Sequence, residues 1–176
     1  MQDKTAALQR RSLPFLVSCI IILADQISKA LIVAKIPENT IGSRLLGDFL
    51  WIVHAKNLGI AFSLGDSFSQ LIRIALFIVL PLGFIGFGIV YCLKTEKLST
   101  FQRYAIAVII GGGLGNLIDR IFRPDGVVDF ISVKFYGLLG MDRFPTFNVA
   151  DSCITIGAVL LFASGILWSS DEETER

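Results

Sequence analysis

The chain has 176 residues, of which 53% are hydrophobic and 18% charged, with a formal net charge of +1 and a mean hydropathy of +0.69. That balance excludes an ordinary soluble domain and indicates one integral membrane domain. It offers no basic surface for nucleic acid, and a single histidine with three scattered cysteines makes no ordinary zinc or redox centre.

The first apolar segment, Leu13 to about Ala34, is interrupted only by Asp25, Gln26 and Lys29 and meets the ~20 residues that a helix needs to cross the hydrocarbon. Lys4, Arg10 and Arg11 ahead of Leu16-Val17-Ser18-Cys19 imitate a lipoprotein signal peptide. Only Leu13 to Ser18 separate the basic end from Cys19, Pro14 lies among them, and the apolar run continues to Ala24. A cleavable signal needs about 7–15 apolar residues before its site, so the segment is read as a retained span. In the connection that follows, Leu50 to Ala55 is β-prone, and Asn57-Leu58-Gly59 gives a turn signal before the chain resumes an apolar character at Ile60.

Ile74 to Leu93 is an uncharged second span. The third, Tyr104 to Ile118, has only 15 uncharged residues and must borrow Asp119 and Arg120 to reach the surface. An uncharged fourth span, Ser152 to Ser170, is headed by Asp151 and followed by an acidic tail, Asp171 to Glu175, expected to be disordered and solvated. The expected fold is a membrane all-α bundle of four transmembrane helices, about 13–34, 74–93, 104–120 and 151–170, with a small strand-containing extracytoplasmic cap over about 35–73 and 121–150. Trp51 and Phe62 are expected at the membrane interface.

Lys and Arg concentrate in the N-terminal twelve residues and in the loop Lys94 to Arg103, whereas the two longer connections are dilute and charge-balanced. Both termini and the middle loop should therefore face the cytoplasm. Asp25 and Lys29, Asp119 and Arg120, and Asp151 then all fall toward the outer side, which favours one polar site there over incidental charges.

Asp25 and Lys29, at i and i+4, share a helix face and can neutralise each other, either as a structural ion pair or as orienters of the site. Gly111 and Gly115 form a small-xxx-small face for close helix packing; a phosphate loop would require glycine where Asn116 stands. Asn116, Asp119 and Arg120 occupy about one turn and can hold a substrate backbone or fix a carboxylate, though Arg120 could also snorkel to the interface. Asp129 and Asp151, if close in a low-dielectric setting, cannot both ionise, so that a general base and a general acid stand together. That suits activation of water against a peptide bond without metal or cofactor. Spacing alone leaves open two solvated carboxylates. A serine or cysteine nucleophile would need His54 as its base, and no G-x-S-x-G elbow occurs.

At these residues the sequence resembles bacterial lipoprotein signal peptidase (signal peptidase II), a family of membrane aspartic endopeptidases. The resemblance rests on five blocks in order: Asp25-Gln26-Ile27-Ser28-Lys29, Asn57 to Ser63, Gly112 to Arg120, Val128-Asp129-Phe130 and Phe147 to Asp151. It implies that Asp129 and Asp151 are the catalytic pair and that Asp25, Lys29, Asn57, Gly59, Asn116, Asp119, Arg120, Asn148 and Ala150 shape the pocket. It further implies cleavage of diacylglyceryl-modified prolipoproteins just before the lipidated cysteine, inhibition by globomycin-type peptides, contact with membrane lipid, and residence in the bacterial cytoplasmic (inner) membrane. Leu58 and Ile60 stand where the family often has smaller or polar residues, and the Lys134 to Arg143 connection is long. A transporter is the chief rival, but it would place charge deep in the second helix, and Ile74 to Leu93 has none.

Overall fold

A computed structural model describes residues 8–58 and 69–174. In chain order it contains α1 (Phe15–Lys35), β1 (Ile41–Leu45), β2 (Leu50–Asn57), α2 (Gln70–Lys94), α3 (Thr100–Phe122), β3 (Val127–Val133) and α4 (Val149–Thr174). Among the described residues three helices are long and apolar enough to cross a membrane: Leu8–Lys35, which extends α1 towards the N-terminus, Gln70–Lys94 and Thr100–Phe122. In α4 the apolar stretch is shorter, Val149–Gly165.

Helix α2 begins at Gln70 rather than at Ile74, because Ser69 caps it by accepting from the backbone N–H of Ile72. Its second turn, Ala75–Val79, is π-helical. Helix α3 starts with a capping box, in which Ser99 and Gln102 each bond the other's backbone N–H. Arg103, nearly buried, donates to the carbonyls of Cys92 and Thr95 and so satisfies the end of α2.

Ten residues of α3 are buried but only Ile85 and Cys92 of α2, which makes α3 the central helix. In lipid, helices associate through small residues and hydrogen bonds rather than a hydrophobic force. The glycines of α3 supply the small residues. A Cβ on Gly111 would lie 2.9 Å from Ser18 Cα of α1, one on Gly112 only 2.4 Å from the carbonyl oxygen of Ala150 in α4, and one on Gly113 3.1 Å from Ile85 of α2. Successive glycines thus admit three neighbours. Ser18 Oγ adds a buried 2.6 Å bond to the Ala107 carbonyl.

The three strands form one antiparallel sheet in the order β1-β2-β3. Val128 and Phe130 of β3 pack with Ile32 at the end of α1, with Ile36, Ile52 and Val149 around them, so the sheet is seated on the ends of α1 and α4. The β2/β3 register shifts between Ile52 and Ala55, a bulge that leaves Asp129 opposite Ala55. Within the bulge His54 is buried and its Nδ1 donates to the Ile36 carbonyl at 2.7 Å, tying the bulge to the exit of α1. Trp51 has two cations against its ring, Arg143 at 3.7 Å and Arg44 at 4.7 Å from the centroid, and donates to Asp48. The long connection after β3 folds back as a hairpin with a bridge between Lys134 and Arg143.

Candidate active site

The site begins with a buried ion cluster. Lys29, on the face of α1 that meets α3, has no exposed surface and uses its ammonium three times: 2.8 Å to Asp25, 3.0 Å to Asp119 and 3.0 Å to Asn116 Oδ1. The expected i,i+4 pair therefore exists, but Lys29 also reaches across to α3. Two buried carboxylates against one ammonium leave a negative excess, and Arg123, 3.5 Å from Asp119, offsets it from the surface side. The remaining carboxylate oxygens are used as well. Asp25 accepts from the backbone N–H of Ala150 at 3.0 Å, Asp119 from that of Val128 at 3.2 Å, and Gln26 donates to both aspartates and to the Gly115 carbonyl. A buried ion group is tolerable only when its hydrogen bonds are filled in this way. Its effect is positional, because it fixes the start of α4 and the start of β3 relative to α1 and α3.

Asp129 and Asp151 stand on those two tethered elements. Asn148 precedes α4, and its Oδ1 accepts from the backbone N–H of Asp151 at 2.9 Å while Asp151 Oδ2 accepts from the backbone N–H of Asn148 at 3.1 Å. This reciprocal cap puts a carboxylate in the first turn of the helix, where the helix dipole favours negative charge. The amide of Asn148 also donates to Asp129 Oδ1 at 2.7 Å and to Asn116 Oδ1 at 3.1 Å, and Asn116 Nδ2 donates to Asp151 Oδ1 at 2.7 Å. On the sheet, Asn57 lies diagonally across β2/β3 from Asp129 and donates to its Oδ2 at 3.1 Å. Three asparagines thus hold the two aspartates, one of which is common to both.

Asp129 lies on the strand, outside the helices, and is 2% exposed. Burial pushes its carboxyl up to about 6, and the charge of Asp151 adds to the rise, against the hydrogen bonds from Asn57 and Asn148. It can therefore exchange a proton near neutral pH.

Of the residues expected at the site, Asp25, Lys29, Asn57, Asn116, Asp119, Asp129, Asn148, Ala150 and Asp151 join one hydrogen-bonded network. Arg120 stands apart from it. Its guanidinium lies over the Phe77 ring at 5.9 Å and its Nε is buried without a partner, within electrostatic reach of Asp119, Asp129 and Asp151. Gly59 falls outside the described residues. Sequence reasoning passed over the part of Gln26, although a polar amide inside an apolar span is a signal, and that of Arg123, four residues beyond Asp119 on the same helix face.

The family model described as signal peptidase (SPase) II matches residues 17–167. The chain belongs to the signal peptidase II family. As a member it is a peptidase, and its apolar helices make it a membrane protein. The lipoprotein signal peptidase of Treponema denticola is 47% identical over 159 residues, covering 88% of this chain and 91% of that one. That of Treponema pallidum is 45% identical over 155 residues, covering 88% and 83%. A solved bacterial membrane enzyme, crystallised in meso, superimposes with a TM-score of 0.75 at 26% identity over 90% of both chains.

Proposed function

We propose that this signal peptidase II relative removes signal peptides from diacylglyceryl-modified prolipoproteins, cutting the bond just before the lipidated cysteine. Asp151 acts as the base and Asp129 as the acid. Asp151, in the first turn of α4, takes a proton from the attacking water. Asp129, whose carboxyl burial raises to about 6, polarises the scissile carbonyl in the molecules in which it carries its proton. Collapse of the tetrahedral species returns a proton to the leaving cysteine nitrogen, and the two groups titrate as a unit.

Asn57, Asn116 and Asn148 hold the carboxyl groups in register. Asp25, Lys29, Asp119 and Ala150 anchor the elements that carry them, while Arg120 and Gly59 shape the pocket. The chain is one domain in the bacterial inner membrane, with four spanning helices, both termini cytoplasmic and the dyad near the outer face. There a doubly acylated cysteine, held in the bilayer by its two chains, presents the adjoining bond. Membrane lipid flanks the opening, and globomycin-type peptides block the dyad. The observation that carries this reading is the convergence of Asp129 and Asp151 on Asn148. The test is cleavage of a diacylglyceryl-modified prolipoprotein by the purified chain, with the unmodified precursor as control: only the modified one should be cut.

A further inference from the structure

At the end of the sheet away from α3, two turns lie side by side. The first, 46–49, joins β1 to β2, and the second, 135–142, closes the hairpin that continues β3. The backbone N–H of Lys134 donates to the Phe49 carbonyl at 2.8 Å, and its ammonium meets Asp48 at 2.8 Å, so the two turns form one tip. Leu46, Phe49, Tyr136, Leu138, Leu139 and Phe144 are all exposed there, Leu139 by 82%, Leu46 by 78% and Tyr136 by 72%. An apolar cluster of this kind is uncommon on a surface that meets only water. The backbone is strained in the same turns. Leu46, Tyr136 and Leu139 have φ of 53°, 53° and 54°, in the left-handed region where glycine or asparagine sits at less cost. Two leucines and a tyrosine do not serve the turns themselves, so their side chains must gain from their surroundings what the backbone loses.

Charge is arranged to match. Behind the tip, Arg44, Lys134 and Arg143 stand against Asp48 and Asp142, three cations to two carboxylates. Arg44 is exposed and lies over the Trp51 ring, and the Lys134 ammonium lies 5.7 Å from the centre of the Tyr136 ring. Leucines in front, aromatic rings behind them and cations behind those follow the order in which an interfacial element meets acyl chains, headgroups and phosphates. The bilayer is within reach. Strand β3 follows α3, a helix of membrane-spanning length, and its Val128 packs with Ile32 near the end of α1. Val133, where β3 ends, lies about 16 Å along the strand from Val128, so the tip can rest on the membrane surface beside the helices. We propose that this double-turn tip inserts into the adjoining lipid leaflet, with Leu46, Leu138 and Leu139 among the upper acyl-chain carbons and Arg44 at the phosphates. The second turn continues the strand that carries Asp129, so insertion holds that strand at a set height against the bilayer.

Insertion is read from fluorescence, without proteolysis, so the outcome stands apart from the peptidase assignment. Leu139→Trp and Leu46→Trp are purified as full chains and reconstituted into phosphatidylcholine vesicles whose acyl chains are plain or brominated, and the emission added over wild type is compared. Phe84→Trp, on an exposed face of α2, is the lipid-contacting reference. Glu96→Trp, in the loop before α3 with its side chain 85% exposed, is the aqueous one. Brominated chains should quench the added emission of Leu139→Trp and Leu46→Trp about as strongly as that of Phe84→Trp, and about three-fold or more above that of Glu96→Trp. Iodide in the water should act in the opposite order. Both leucines are exposed, so the substitutions leave the packing intact, and far-ultraviolet circular dichroism establishes that each variant is folded. Lipid quenching at either position no greater than that of Glu96→Trp would overturn the proposal. Added emission shifted to the blue yet untouched by both quenchers would put protein, such as a second copy of the chain, over the tip and would overturn it as well.

Discussion

Asn148 and Asp151 bond each other twice, side chain to backbone in both directions, at 2.9 and 3.1 Å. The same asparagine donates to Asp129 at 2.7 Å. Helix start and carboxylate spacing are therefore set by one residue. Asn148→Ala should lower kcat on a modified prolipoprotein by about 100-fold or more, as misplacement of a catalytic group does, and should cost about 1–2 kcal/mol of stability through the lost cap. KM should change far less. An unchanged kcat in the folded variant would remove Asn148 from the positioning role.

The buried carboxyl of Asp129 leads to a pH prediction. Its value of about 6 in the fold lies above the ordinary 3.8, so between those values the folded chain holds a proton that the unfolded chain has lost. Stability from this group is fully present at low pH and declines as pH rises through about 6. Above that, an ionised Asp129 costs stability on the order of 3 kcal/mol. Asp129→Asn, free of that charge, should melt higher than wild type at pH 8, keep about half of that advantage at pH 5 and lose it below about pH 4, as measured by thermal unfolding in detergent. A greater gain at pH 5 than at pH 8 would reverse the assignment.

Lys29 is the sole ammonium between Asp25 and Asp119, and none of the three is exposed. Lys29→Met should destabilise the chain by about 3–5 kcal/mol, the penalty for leaving buried carboxylates unpaired. Replacing Asp25, Lys29 and Asp119 together by apolar residues should recover much of that stability without recovering activity. Lys29→Met with wild-type stability would show that the cluster does not hold the bundle.

The glycines of α3 can be tested one at a time. Gly112→Ala places a methyl 2.4 Å from the Ala150 carbonyl, whereas Gly83→Ala in α2 meets nothing within 4 Å. The first should lower stability by about 1–3 kcal/mol as an overpacked contact, and the second should raise it by up to about 1 kcal/mol through helix propensity. Melting temperatures of the two variants, side by side, decide between them.

The helices could be read from apolar length alone, and the residues of the polar network from their carboxylates and amides inside or beside apolar runs. Asp25 with Lys29 is such a case, because lipid makes an isolated charge costly and the i,i+4 spacing supplies its partner. Other features were not available from the chain. Nothing in the spacing of Asn148 and Asp129 says that an amide from one connection will meet a strand from it, since that contact depends on how β3 and α4 are seated. The cations beside the Trp51 ring, Arg44 and Arg143, are of this kind, because Arg143 reaches it only through the hairpin after β3. Gln70 starts α2 ahead of the uncharged run because Ser69 supplies a cap, and hydropathy is blind to caps.

The most direct test of the dyad is cleavage of a diacylglyceryl-modified prolipoprotein by wild type, Asp129→Asn and Asp151→Asn, each purified and shown to be folded. Wild type should release the signal peptide just before the lipidated cysteine, and each variant should lose about 1,000-fold or more of that rate, since neither acid nor base can work alone. Processing by either variant at the wild-type rate would contradict the account.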